Sequence, residues 1–359
     1  MLKILTVAGT RPELIRLSVI IKKLDLLVDH VLVYTNQNYD PSLSTIFFEE
    51  LDIRRPDYYF ENKGYSIGQF LSNAFMEFEK VIIKEKPDKV LILGDTNSGL
   101  LALIANKYNT PIYHMEAGNR CFSPKVPEEV NRKVIDGLST VNLPYTENSK
   151  ENLLREGFHK NYVFKTGNPI YEVLKFYDSY INNSNIINNL CLKEKEFVLV
   201  TAHRSENVDN FESLSNIMEA INEISNQFKV VFSLHPRTKS KLKKFNIEIS
   251  KDIIFNEPLG FFDFVKLEKT AKVVISDSGT VQEECCILGV PAITIREVTE
   301  RQETVECGSN ILTGTNKDFI LIAFTNIMQR RNTWYLPSDY LIENVSDTII
   351  NILMGGVIK

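Results

Sequence analysis

The sequence predicts a parallel α/β protein built as two doubly wound halves facing a cleft. Three observations predict it. Short β-branched runs alternate with helical patterns from end to end, which calls for helices on both faces of parallel sheets. At 359 residues the chain exceeds what one ordinary hydrophobic core supports. A polar, Asn-rich stretch near the middle, including "INNSNIINNL", interrupts the alternation and leaves a similar series on either side.

In the first half the strands are read as "KILTVAG", "HVLVYTN", "KVLILGD", "PIYHM", "TVNLPY" and "NYVFKTG", with helices over Pro12–Lys23, Ile67–Ile83 and Asn97–Tyr108. Asn168–Lys195 reads as a linker. The second half repeats the alternation with "EFVLVTA", "FKVVFSLH", "DIIF", "AKVVISD", "PAITI" and "SNILTG". A last helix, Tyr340–Leu353, is expected to pack back on the first half. The domains are accordingly placed at residues 1–170 and 171–339, with 340–359 returning to the first.

Composition narrows the function. The net charge of −5 mixes both signs, so no general attraction to nucleic acid or an anionic membrane is expected. No run of about twenty apolar residues predicts a membrane span. The apolar N-terminus is only strand length and lacks the features of a signal peptide. The five cysteines, Cys121, Cys191, Cys285, Cys286 and Cys307, are odd in number and form no C-x-x-C pair. That fits reduced thiols in a cytoplasm and no structural zinc.

Ligands of doubly wound folds bind beyond the carboxyl ends of the strands. The segments just past the strand ends here are polar and charged: "GTRPE", "NQNYD", "GDTNS", "EAGNR", then "AHRSEN", "HPRT", "DSGTVQEE" and "REVTERQE". Ser278, Gly279 and Thr280 would open a helix whose free N–H groups can hold a phosphate; a plain Asp/Ser cap is an equal reading. Glu284, about one and a half turns on, could accept hydrogen bonds from ribose hydroxyls. Arg11 sits at the mouth of a helix begun by Pro12 and could clamp a phosphate, or lie on the surface. His203 and His235 come directly after second-half strands, each closely trailed by arginine (Arg204, Arg237), and with Arg301 they form a basic lining. His30, His114 and His159 read as structural, and Cys285–Cys286 as helix packing. The acids Asp95, Glu116 and Glu128 belong to the first half. No G-x-G-x-x-G and no Walker A motif occurs, so neither a dinucleotide cofactor nor that kind of nucleotide loop is expected.

In this order, "GTRPE", "GDTNS", "EAGNR", "PEEVNR", "AHRSEN", "DSGTVQEE" and "TERQE" resemble the non-hydrolysing UDP-N-acetylglucosamine 2-epimerases, from Gly9 to about Arg301. The resemblance implies two Rossmann-like domains of the glycosyltransferase B type and a homodimer. It also implies reversible inversion at carbon 2 of a UDP-linked acetamido sugar, with no cofactor. It makes Asp95, Glu116 and Glu128 the acid/base carboxylates and sets His203 by the diphosphate and leaving group. Ser278 and Gly279, with Thr280, would bind phosphate and Glu284 the ribose. Arg11, Arg16, Arg132, His235 and Arg301 would be further substrate contacts, and Phe264 a uracil contact.

The sequence departs from the commonest pattern in three places. Arg16 stands where lysine is usual. The segment between Glu116 and Glu128 is shorter and lacks an aromatic-rich loop. "NQNYD" (36–40) replaces a stretch linked, in some bacterial members, to an allosteric substrate site. All three are similar to the branch forming UDP-N-acetyl-L-fucosamine for capsule or O-antigen synthesis.

The implied chemistry explains the residue types. The hydrogen on carbon 2 is not next to a carbonyl, so elimination of UDP must accompany its removal. Two faces of carbon 2 need two proton-transfer groups, which carboxylates supply. Departing UDP needs a fixed cationic and helix-terminal site. Glu128 and Arg132, four apart, are expected to share a helix face, with Glu129 assigned to structure or solvent. A hydrolysing epimerase, a glycosyltransferase of the same fold and a silent UDP-sugar sensor are the rivals.

Overall fold

The structure, a computed structural model, describes residues 1–37, 47–61 and 66–356. The chain divides into two compact units. The first comprises Met1–Phe176 and Asp339–Lys359, the second Tyr177–Ser338.

The first unit carries strands β1 (Lys3–Ala8), β2 (Asp29–Tyr34), β3 (Tyr58–Tyr59), β4 (Lys89–Leu93), β5 (Ile112–Met115) and β6 (Val141–Leu143) in the order β3-β2-β1-β4-β5-β6. The second carries β7 (Phe197–Thr201), β8 (Lys229–Ser233), β9 (Ile253–Asn256), β10 (Val273–Ser276), β11 (Ala292–Thr294) and β12 (Asn310–Leu312), ordered β12-β11-β10-β7-β8-β9. Every pairing is parallel. Counted from its own first strand, the second sheet has the strand order of the first. In each the order reverses beside the first strand, between β1 and β4 and between β7 and β10, where such sheets bind ligands.

Burial has its origin in the sequence. Strands such as "KVLIL" and "FVLVT" are buried throughout, as parallel strands covered on both faces must be. Helices supply the cover. Phe70, Ala74, Phe78, Val81 and Ile82 of the helix Ile67–Glu85 join Leu5, Val7, Val90 and Ile92 in one cluster. Leu214, Ile217, Met218 and Ile221 of the helix Phe211–Ser225 do the same against Val198, Val200, Val230 and Phe232.

The expected elements form, with local corrections. "NYVFKTG" is not a strand: it makes a 3-10 turn at Lys160–Tyr162 and one isolated bridge between Asn142 and Val163. β3 is only two residues long, too short to leave a pattern in the sequence. The linker stretch is helical, as Ile170–Phe176, Asp178–Asn182 and Ile186–Asn189. Asparagine is a weak helix former, but Val173, Leu174, Ile181 and Ile186 are buried and override it. The last helix is Val345–Met354 and packs against the helix Arg11–Leu27 of the first unit.

Candidate active site

In the first unit the site starts from register. β4 and β5 end side by side, with Leu93 opposite Met115, so Gly94–Asp95 and Glu116 leave the sheet together. Glu116 adopts φ +66°, a left-handed conformation that costs a non-glycine residue roughly 1 kcal/mol or more. Its carboxylate is buried and held at both oxygens: Arg16 Nη1 donates to Oε2 at 2.9 Å and Asn119 Nδ2 to Oε1 at 3.1 Å. Arg16 thus reaches the site from the helix Arg11–Leu27, with its guanidinium 5.9 Å from the Tyr145 ring centre.

Asp95 is clasped by Arg132, whose Nε and Nη2 lie 2.7 and 2.5 Å from Oδ2. Arg132 comes from the helix Pro127–Leu138, which Pro127 opens and whose first turn carries Glu128 and Glu129, favourable signs at a helix N-terminus. Of the two places expected for Glu129, structure or solvent, it takes the first: it is buried and accepts from Arg132 Nη1 at 3.1 Å and from the Cys121 N–H at 3.0 Å. It is the i,i+3 neighbour that fixes Arg132, while Glu128 is half-exposed.

The scaffold beneath is an ion network with no signature in the sequence. Buried Asp136 takes His114 Nδ1 at 2.7 Å and Arg120 Nη2 at 2.7 Å, and His114 Nε2 lies 2.9 Å from the Gly94 carbonyl. Burial alone would raise the Asp136 carboxyl, but His114 and Arg120 outweigh it and hold it below its ordinary value. Arg120 also grips Glu156 at 2.8 and 2.6 Å. The loop after β5 is therefore tied to the carbonyl that precedes Asp95.

Glu13 is a functional candidate that the strand-end motifs did not single out. Its buried Oε2 accepts from the Gly9 N–H at 2.6 Å, the Thr10 N–H at 2.7 Å and Thr10 Oγ1 at 3.0 Å. Its Oε1 accepts from Thr96 Oγ1 at 2.7 Å. One carboxylate thus ties the loop after β1 to the loop after β4, across the point where the strand order reverses. Burial pushes its carboxyl up to about 7, against the pull of these hydrogen bonds. A signal exists in the sequence: "TRPE" fits the capping-box pattern of threonine and, three residues later, glutamate. Gly9 is needed beside it, because a Cβ there would lie 1.9 Å from Ser98 Oγ. Arg11 sits 4.5 Å from the Phe47 ring centre. Of 36–40, Asn36 and Gln37 are described, and Gln37 Oε1 accepts from Ser98 N–H and Oγ at 3.1 Å; residues 38–40 lie outside the described residues.

In the second unit Asp277 comes just after β10 and is fully buried. It accepts from the His203 N–H at 3.1 and 2.9 Å, the Arg204 N–H at 2.9 Å and Asn207 Nδ2 at 3.1 Å. The His203 side chain stays 40% exposed, with Nδ1 3.3 Å from Asp277 Oδ1 and its ring centre 5.7 Å from that of His235. His235 caps the helix Pro236–Phe245, its Nδ1 accepting from the Arg237 N–H at 3.1 Å.

Ser278 and Gly279 begin the helix Gly279–Leu288, and Ser278 Oγ and Thr280 Oγ1 share a hydrogen bond at 3.0 Å. A Cβ on Gly279 would come within 2.9 Å of Glu300 Oε1, so glycine permits close approach at this helix start. Glu284 is buried on the same helix. Its neighbour Glu283, not singled out from sequence, meets Arg301 Nε at 2.6 Å. Arg237 is committed to Asp209, donating from Nε at 3.1 Å, and the pair holds Asp209 down to about 2. It belongs to a surface ion pair. Phe264 is buried with Leu267, Val281 and Cys285 in a core cluster.

Comparison with known proteins places these two edges in a family. The family described as UDP-N-acetylglucosamine 2-epimerase matches residues 22–354. A UDP-N-acetylglucosamine 2-epimerase of Methanocaldococcus jannaschii is 42% identical over 94% of this chain and 95% of its own. A UDP-2,3-diacetamido-2,3-dideoxy-D-glucuronate 2-epimerase of Pseudomonas aeruginosa is 37% identical over 89% of this chain and 90% of its own. The crystal structure of the M. jannaschii UDP-GlcNAc 2-epimerase in complex with UDP-GlcNAc and UDP superposes with a TM-score of 0.93 at 40% identity, covering 98% and 99% of the two chains. The chain belongs to the UDP-N-acetylglucosamine 2-epimerase family and is an isomerase of that type.

Proposed function

We propose that the protein is a non-hydrolysing 2-epimerase of a UDP-N-acetylhexosamine that works by elimination and re-addition of UDP. The observation that carries this reading is the division of chemistry between the two switch points. The first presents Asp95 and Glu116, each seated on an arginine. The second presents a glycine-opened helix start with His203 and Arg301. In this reading a carboxylate removes the hydrogen of carbon 2 while UDP leaves carbon 1, giving a 2-acetamidoglycal. UDP adds back, and a second acid delivers a proton to the opposite face. The left-handed Glu116 supports the assignment, since strain of this kind persists where the surroundings fix a functional side chain. Glu128 completes the acid set. His203, Ser278, Gly279, Thr280 and Arg301 stabilise the diphosphate as it departs and keep it for return; Arg11, Arg16, Arg132, His235, Phe264 and Glu284 are further contacts. No metal or redox group is needed for these steps.

The names of the relatives favour the UDP-GlcNAc/UDP-ManNAc pair. Arg16 and the short 116–128 segment favour UDP-2-acetamido-2,6-dideoxy-L-talose and its L-fucosamine epimer. Either product would serve as a cytoplasmic precursor of surface polysaccharide. A homodimer is proposed on the same resemblance. Its support is an exposed apolar layer on the first unit: Met76 and Ile83, Leu103, Val130 and Val134, on three neighbouring helices.

The test is proton NMR in deuterated water with each UDP-sugar in turn. Deuterium at carbon 2 of both epimers, with no lasting free UDP, is expected, and the faster sugar identifies the substrate. UDP accumulating in step with turnover would mean a hydrolysing enzyme. Binding without exchange would leave a transferase or a sensor.

A further inference from the structure

Two thiols of the second unit sit together without a bond. Cys286 is buried on the helix Gly279–Leu288, and Cys307 is half-buried just beyond the helix Gln302–Glu306. Their sulfurs are 3.7 Å apart. Cys307 Sγ also lies 3.3 Å from Ser309 Oγ. The hydrogen bond from the Cys286 thiol draws the Cys307 thiol below its ordinary value. A partly exposed, acidified thiol is the nucleophilic kind, and a second thiol within reach can resolve its oxidised form. Cys191, by contrast, is exposed and paired with no other cysteine.

The two segments are those that build the anion site. Cys286 lies on the helix that Ser278 and Gly279 open. Cys307 ends the segment that Arg301 begins, and Arg301 Nε is already 2.6 Å from Glu283, three residues before Cys286. We propose that Cys286 and Cys307 are a reversible dithiol–disulfide pair that couples oxidation to the anion site of the second unit.

With a peroxide as oxidant the step balances. The Cys307 thiolate attacks one peroxide oxygen, the O–O bond breaks, and a sulfenic acid forms with release of water after proton uptake. Cys286 sulfur then attacks the Cys307 sulfur. The S–S bond forms, the S–O bond breaks, and hydroxide leaves as a second water with the Cys286 proton. The two thiols give up two electrons and the peroxide takes them. The sulfurs must close from 3.7 Å to about 2.0 Å. Cys286 is fixed within a packed helix, so Cys307 makes the movement and pulls on the segment that holds Arg301.

The experiment treats the whole protein with hydrogen peroxide and maps its non-reduced digest by mass spectrometry, beside Cys307→Ser and Cys191→Ser. A Cys286–Cys307 linked peptide is expected in the wild type and in Cys191→Ser, absent from Cys307→Ser and lost on dithiothreitol treatment. Peroxide leaving both thiols free, or oxidising Cys307 without a link, would overturn the pair. Its functional consequence rests on the UDP-binding reading, so UDP affinity is measured in parallel. Oxidation is expected to weaken binding at least threefold, reversibly. A bridge that leaves the affinity unchanged would overturn the coupling. Absence of UDP binding by the reduced protein would instead sink the UDP reading and leave the linked peptide to decide the pair.

Discussion

The two units use one strand order and solve one problem in opposite ways. Each must join the loop after its first strand to the loop across the reversal point, and each does so with a single buried carboxylate. In the first unit Glu13 comes from the helix after β1 and reaches both the Gly9–Thr10 amides and Thr96. In the second, Asp277 comes from the far strand, β10, and reaches back to the His203 and Arg204 amides after β7. The surrounding charge then differs. The first edge offers acids held by arginines, the second a helix start and a basic side chain. Topology sets where a ligand goes, and the few residues after each strand set what is done to it.

The sharpest way to break this contrast is to ask whether chemistry and UDP binding separate. Asp95→Asn, Glu116→Gln and Glu128→Gln are each expected to lower turnover about 10²–10⁴-fold, the usual worth of a positioned proton-transfer group. UDP affinity by calorimetry should stay within a few-fold. Equal losses of binding and turnover would mean that the acids position the ligand, and the division of labour would fall.

The next effect tests the two tying carboxylates as equivalents. Asp277→Ala strands the His203 and Arg204 amides, and Glu13→Ala strands those of Gly9 and Thr10. Orphaned buried donors cost about 1–3 kcal/mol each, so each variant should lose roughly 2–5 kcal/mol in urea unfolding. A loss confined to one of them would show that only one reversal point depends on its clasp. A smaller effect concerns the helix start alone. Gly279→Ala places a Cβ 2.9 Å from Glu300 Oε1. It should weaken UDP binding about tenfold, near 1.4 kcal/mol, with the fold retained. Unchanged affinity would move the phosphate away from this turn.

The difference between the units also explains what can be read from sequence in advance. Strand runs such as "KVLIL" and the charged groups after them are legible, because a buried parallel strand and a polar loop contrast sharply in composition. Asp95, Glu116 and Ser278–Gly279 fall where strand ends put them. Their partners are not legible. Nothing in spacing says that Arg132 takes Asp95, or that Arg16 reaches Glu116 a hundred residues on, since such pairs are set by how a helix packs against distant strand ends. The helices within 170–189 are hidden for another reason: low local propensity is overridden by burial of a few aliphatic side chains.

Glu13 permits a finer test, because its environment leaves a titration signature. Its carboxyl stands at about 7 in the fold against an ordinary value of 4.5. The folded state therefore keeps a proton that the unfolded chain gives up first. Glu13's contribution to stability is greatest below 4.5 and falls as pH rises through 7, above which it levels off. Between pH 6 and 7 the expected loss is about 1 kcal/mol. Glu13→Gln removes the titration while its amide can still accept from Gly9 and Thr10 and donate to Thr96 Oγ1. The difference in unfolding free energy between the wild type and Glu13→Gln should therefore slope over that interval and flatten above it. Parallel curves would mean that the Glu13 carboxylate is already ionised at low pH, with its hydrogen bonds to Gly9, Thr10 and Thr96 outweighing burial.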